Sequence, residues 1–204
     1  MSSLPGWLRQ HLAALRALLV LTVVLGVAYP LAITAVAQVI APTKANGSQI
    51  TVNGTTVGSS LLAQSFNDDK KNPLPQWFQP RPSAGSWDPT ASGATNLGPE
   101  NPDLIAAITT AKESVAAFDS VPGHTVAPAD VPADAVTSSG SGLDPHISVA
   151  YAEQQAYRVA ATRKLDAGRV LALVTDHTEH PVAGIFGTEV VNVLRLNVAL
   201  ATLS

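Results

Sequence analysis

With 204 residues and 46% apolar side chains, the chain is long enough for one ordinary domain and a little more, and its mean hydropathy of +0.20 is high for a soluble protein. It has no cysteine, which excludes disulfides, thiolate metal sites and thiol nucleophiles. From Lys44 onward ten basic side chains face fifteen acidic ones without a basic run, so nucleic acid is not an expected partner.

The apolar excess lies near the N-terminus, where residues 17–43 contain no Asp, Glu, Lys or Arg. About 20 apolar residues rising about 1.5 Å each cross a hydrocarbon core of ~30 Å, so residues 17–41 are long enough for a transmembrane helix with some tilt. Residues 1–16 then form a tail and residues 42–204 a domain on the other side. Pro30 frees a backbone carbonyl inside this helix, a defect that neighbouring helices can re-satisfy, and Gly26 and Thr34 offer small surfaces to such neighbours. Arg9 and Arg16 precede the span in a tail without acidic residues, and only Lys44 follows it before Asp68. Because basic flanks stay on the cytoplasmic side, the N-terminus is expected inside and the domain outside. A cleaved signal peptide is the alternative, since Ala35, Val36 and Ala37 form an A-x-A site before Gln38; the length of the apolar stretch weighs against it.

Beyond the span, GSQITVNGTTVG at residues 47–58 predicts a short hairpin turning at Asn53 and Gly54. Residues 67–102 are rich in Pro, Ser, Gly and Asn and read as loop. Asn101, Pro102 and Asp103 supply a cap, a first-turn proline and a first-turn acid for a helix that carries Leu104, Ile108, Ala111, Val115 and Phe118 at helical spacing. Prolines at 122, 128, 132 and 145 then predict a structured loop with room for one short strand. Ser148 caps a second helix through Lys164 with Tyr151, Gln155, Val159 and Thr162 along one stripe. Asp166 starts another, with Val170, Leu173, Val174 and His177 on one face and Pro181 as its stop. The closing VVNVLRLNVALATL is too short to span and is a core strand or helix. No repeat of fixed period occurs, so the expected fold is an α/β or α+β extracytoplasmic domain anchored by one N-terminal transmembrane helix.

The string SSGSGLDPHIS at residues 138–148 gathers hydroxyls, Asp144 and His146. It invites a hydrolase reading, with Ser139 or Ser141 as nucleophile and His146 as base, but G-x-S-x-G is absent and triad members rarely lie so close in sequence. The plainer reading is a tight turn allowed by Gly140 and Gly142 and bonded locally by Ser and Asp. Asp144 and His146 with distant His124 lack any familiar metal-ligand spacing. SGATNLGP at residues 92–99 offers backbone N–H groups ahead of a helix without the P-loop lysine, and no GxxxxGK[ST] or DKTG occurs. Trp77, Phe78 and Trp87 flank Arg81, either to stack on a guanidinium or partner or to pin the loop as a minicore.

These strings in this order, GVAYPLAITAVAQ, NGSQ, VGSSLLAQSF, WFQPRPSA, SGATNLGP, VTSSGSGLDPHIS, QAYRVAATR and VVNVLRLNVAL, make the chain resemble the C subunit of Kdp potassium-transporting ATPases from end to end. WFQPRPSA stands where YFxxRPSA is more usual, and SGATNLGP where SGGSNLGP is. The resemblance implies a bacterial cell-membrane complex with a potassium-channel-like subunit, a P-type ATPase subunit and a small single-span subunit, transporting potassium at the expense of ATP. It implies a member that hydrolyses nothing itself, proposed in the family as a catalytic chaperone raising the ATPase subunit's affinity for ATP. Gln155 would then be a nucleotide contact, and Ser139, Gly140, Ser141, Gly142 and Asp144 nucleotide or partner contacts, with no catalytic or metal-ligating residue. A domain placed outside by Arg9 and Arg16 meets essentially no ATP, so holding the complex together, or shaping the outer potassium entrance with an acidic face, is physically easier. An anchored or secreted hydrolase and an envelope-binding domain remain the alternatives.

Overall fold

The computed structural model describes residues 5–181 and 183–203, which fall into two compact units, Met1–Ser48 and Gln49–Ser204. In the first, α1 (Gly6–Val23), a wide π-helical turn (Val24–Ala28) and α2 (Tyr29–Ile40) form one continuous apolar helix with no buried residue, followed by the short α3 (Pro42–Ala45). The helix starts well before residue 17. Its 35 residues are about 52 Å long, ample for a hydrocarbon core of ~30 Å. The local effect of Pro30 is a change of helix type. A proline lacks the N–H that would reach the carbonyl four residues back, here Gly26, and that carbonyl lies inside the π turn. The Thr34 hydroxyl donates to the Pro30 carbonyl at 2.8 Å.

The second unit opens with the antiparallel hairpin of β1 (Gln49–Val52) and β2 (Thr55–Ser59). It turns at Asn53 and Gly54, both at positive φ (49° and 78°), as a type I′ turn demands. After a long segment without regular structure comes α4 (Pro102–Asp119), where the Asn101 side chain accepts from the Asp103 N–H at 2.8 Å. A 3₁₀ turn (Pro128–Asp130) and α5 (Ala133–Val136) lead into β3 (His146–Ser148) and α6 (Val149–Arg163). Next follow α7 (Ala167–Asp176), β4 (Thr178–Glu179), β5 (Val190–Asn192) and α8 (Val193–Thr202).

The second sheet has the order β3-β5-β4 with both pairings antiparallel, so the unit is of the α+β kind. The closing apolar segment is strand and helix in turn. Val191 fills the sheet's buried face, and Asn192 then caps α8 by accepting from the Arg195 N–H. The core joins Phe78, Ile147, Val159, Val170, Val174, Leu196 and Leu200. Of the stripe expected on α6, Tyr151, Gln155 and Val159 are buried, while Thr162 is exposed and donates back to the Arg158 carbonyl.

Candidate functional site

Three polar side chains sit deep in the core, where each needs a hydrogen-bond partner: Gln155 and Arg158 on α6 and Asn197 on α8 are at most 2% exposed. Their partner is the loop segment at residues 75–79, which pairs with no strand among the described residues. The Asn197 amide accepts from the Phe78 N–H (2.9 Å) and donates to the Phe78 carbonyl (3.0 Å). The Gln155 amide does the same one residue on, accepting from the Gln79 N–H (2.7 Å) and donating to its carbonyl (3.1 Å). Two side-chain amides thus take the place of a strand's hydrogen-bonding edge.

Arg158 completes the clamp. Its guanidinium donates to Asp119 (2.7 Å), to Gln155 Oε1 (2.8 Å) and to the carbonyls of Pro75 and Trp77, with the Phe118 ring 4.3 Å beneath. Asp119 also accepts from Gln154 at 2.6 Å, so both charges of this buried pair are paired and hydrogen-bonded, the condition under which ions are tolerated inside a protein. Arg163 donates to the Gln76 carbonyl and stacks on Trp77. Burial lowers the Arg163 pKa and raises that of Tyr151. The aromatics therefore work as a minicore: Phe78 is fully buried, the guanidinium on Trp77 belongs to Arg163, and the Trp87 indole N–H donates to the Arg81 carbonyl.

The loop at residues 138–146 is built around one hydroxyl. Ser139 Oγ is buried and accepts from the N–H groups of Gly142 (3.1 Å), Ser141 (3.3 Å) and Asp144 (3.4 Å). Ser141 Oγ accepts from the Leu143 N–H, and Asp144 Oδ1 from the His146 N–H. Gly142 has φ +70°, and a Cβ there would stand 2.8 Å from the Gly93 carbonyl oxygen. The SGATNLGP string docks at this point, since Gly93 N–H and Ser92 Oγ both donate to the Ser141 carbonyl. This is the locally bonded turn, and neither serine hydroxyl has His146 as a partner. Asp144 also pairs with Arg81 at 3.3 Å, and the His146 side chain first, then the His146 backbone N–H and the Arg81 charge, hold its carboxyl below the usual range against the effect of burial.

The other candidates do not come together. His124 stacks on Tyr157, with ring centroids 3.6 Å apart. Asp144 and Glu179 approach opposite nitrogens of the His146 ring, and no three metal-ligating side chains converge among the described residues.

One surface feature adjoins the loop. The turn after β2 exposes Leu61 (60%) and Leu62 (36%) although its backbone is fixed. The Ser60 carbonyl accepts from buried Asn192, Leu61 N–H donates to Ser59 Oγ, and Ala63 N–H donates to the Leu143 carbonyl. With Gly140, Ser141, Leu143 and Pro145 these leucines line an open depression of about 490 Å³. A pre-ordered apolar pair loses little entropy on docking, so the arrangement suits a protein contact. Sequence reasoning singled out Gln155 and the 138–148 loop but missed Asp119, Arg158, Asn197, Leu61 and Leu62. Arg158 was detectable in principle as a polar residue on the buried face of a predicted helix, and Asn197 as a polar residue within an apolar segment expected to be core.

Comparison with known proteins follows the same outline. The family model described as KdpC, K+-transporting ATPase, c chain, matches residues 11–202. A Streptomyces coelicolor protein named potassium-transporting ATPase KdpC subunit is 50% identical over 99% of this chain and 96% of its own length. Proteins of the same name from Kineococcus radiotolerans and Rhodospirillum rubrum are 49% identical, covering 97% and 88% of this chain and 96% and 89% of their own.

Proposed function

Since the chain belongs to the KdpC family, the c chain of the K+-transporting ATPase, we propose that it is the non-hydrolysing accessory subunit that holds this potassium-import complex together. Its helix packs among the spans of a potassium-channel-like subunit and a small single-span subunit. Its domain docks outside the cell, against the channel-like and P-type ATPase subunits. The observation that carries this reading is the exposed Leu61–Leu62 turn, fixed from behind by Asn192 and the 138–146 loop, which is built for a contact and not for chemistry. The excess of acidic side chains in the domain suits a position at the outer potassium entrance, where it raises the local cation concentration.

Gln155 serves in this account as a clamp on residues 75–79. A nucleotide contact at its amide would require the Gln79 backbone and Arg158 to give up their partners, at a cost of about 1–3 kcal/mol for each buried group left unsatisfied. Gly140 and Ser141 are exposed and are assigned to a partner contact, while Ser139, Gly142 and Asp144 shape the loop that presents them.

The test uses cells lacking their own copy of this subunit, grown at limiting external potassium. The chain restores growth, and Leu61→Glu with Leu62→Glu abolishes rescue while the variant still accumulates in the membrane. Single cysteines introduced at Gln10 and Glu100 report topology: a membrane-impermeant maleimide labels intact cells at position 100 and not at position 10. The reverse labelling pattern, or undiminished rescue by the double variant, rejects the proposal.

A further inference from the structure

The connection between β4 and β5 is an apolar finger. From Pro181 to Thr188 the chain has no charged side chain, and Ile185 and Phe186 are 74% and 68% exposed, among the most exposed large apolar residues of the domain. The base of the finger is fixed. Thr178 and Glu179 pair with Val191 and Val190, His180 Nδ1 meets Glu189 at 2.9 Å, and Arg195 holds Glu179 at 2.9 Å. The tip turns tightly, with the Gly184 N–H donating to the Pro181 carbonyl and Ala183, Gly184 and Gly187 at φ 54°, 75° and 101°. An alanine at positive φ is a conformation that L residues adopt reluctantly, and here it accompanies a tip that turns two large apolar side chains to solvent.

Such a tip needs an apolar counterpart, and charge decides between a bilayer and a protein. Surface anchoring on lipid uses Trp or Tyr backed by Lys or Arg, because the headgroup region is polar and carries negative charge. The finger has no aromatic amphiphile and no cation; at its base Glu189 meets His180 and Glu179 is held by Arg195. The chain from Lys44 onward carries ten basic against fifteen acidic side chains, so an anionic surface repels it. We propose that Ile185 and Phe186 dock into an apolar pocket on a membrane-integral subunit of the same complex, as a contact separate from the Leu61–Leu62 turn. The inference rests on the subunit reading above and adds a second docking element to it.

A photoreactive amino acid placed at position 186, and in a control chain at exposed Glu100, is irradiated in native membranes; the complex is then purified through a different subunit and its adducts identified by mass. The expected result is an adduct from position 186 to one stoichiometric subunit of the complex, with none from position 100. In parallel, Phe186→Ser leaves the melting temperature of the purified chain unchanged and lowers its retention in the washed complex about tenfold. A position-186 adduct to lipid alone, or no adduct in a complex that does co-purify, overturns the finger while leaving the subunit reading intact. Failure of the unsubstituted chain to co-purify at all overturns both.

Discussion

Replacing Gln155 by Ala separates a clamp from a nucleotide contact. The substitution deletes the acceptor of the Gln79 N–H, the donor to its carbonyl and one partner of Arg158, all in a site with no exposure. Each buried group left without a partner costs about 1–3 kcal/mol, and the truncated side chain leaves a cavity, so the loss is about 4 kcal/mol. For a domain of this size each kcal/mol moves the melting temperature by about 2–4 °C, giving a fall of about 8–16 °C. The assay is thermal unfolding of the full chain in detergent, followed by near-ultraviolet circular dichroism, to which Trp77 beside the clamp contributes. Asn197→Ala, which frees the adjacent residue 78, is expected to have a similar effect. The double variant should lose less than the sum, because once residues 75–79 lift off the second clamp has nothing left to hold. At temperatures where Gln155→Ala stays folded, the KM for ATP of the assembled complex should be unchanged. A melting temperature within a degree of the original, with a raised KM for ATP, would refute the clamp.

Gly142→Ala places a Cβ at positive φ and 2.8 Å from a backbone oxygen, and should destabilise the domain by about 2–4 kcal/mol in chemical denaturation. Arg158→Met leaves Asp119 buried with only Gln154 beside it, and should cost about 3–5 kcal/mol by the same assay, whereas the double change Arg158→Met with Asp119→Leu should recover part of that loss. The depressed pKa of Asp144 means that its contribution is present above the ordinary value of 3.8 and is lost as pH falls through the lower folded value. Asp144→Asn should therefore flatten that acid limb in a pH series of melting curves and lower stability at pH 7 by under about 1 kcal/mol, since Arg81 and Asp144 are 26% and 34% exposed and the pair is partly screened by solvent.

The sequence was most transparent where one residue type carries one local instruction. Asn101 and Ser148 cap their helices as their positions suggest, Asn53 and Gly54 turn the hairpin, and Pro145 ends the loop before β3. It was opaque wherever the partner is far along the chain. Gln155 stands 76 residues from Gln79 and Asn197 stands 119 from Phe78, so no local pattern marks residues 75–79 as the edge they satisfy. The apolar C-terminal segment could not be divided from periodicity because its strand is only Val190–Asn192, too short for alternation to register before α8 begins. Thr162 keeps the direction of the stripe, since eleven residues bring the helix back to within about 20° of Tyr151, but it lies in the last turn of α6 and is exposed there. In the loop at residues 138–146 the residue types alone fitted a nucleophile and a base, and the geometry shows Ser139 turned inward as an acceptor for backbone N–H groups.

The most direct measurement is to recover the tagged chain from its own membranes in mild detergent and weigh everything that accompanies it. An uncleaved chain in stoichiometric company with a P-type ATPase and a channel-like membrane subunit, with that company lost on Leu61→Glu and Leu62→Glu, is the expected result. A lone product beginning at Gln38, or a complex indifferent to both leucines, would contradict the account.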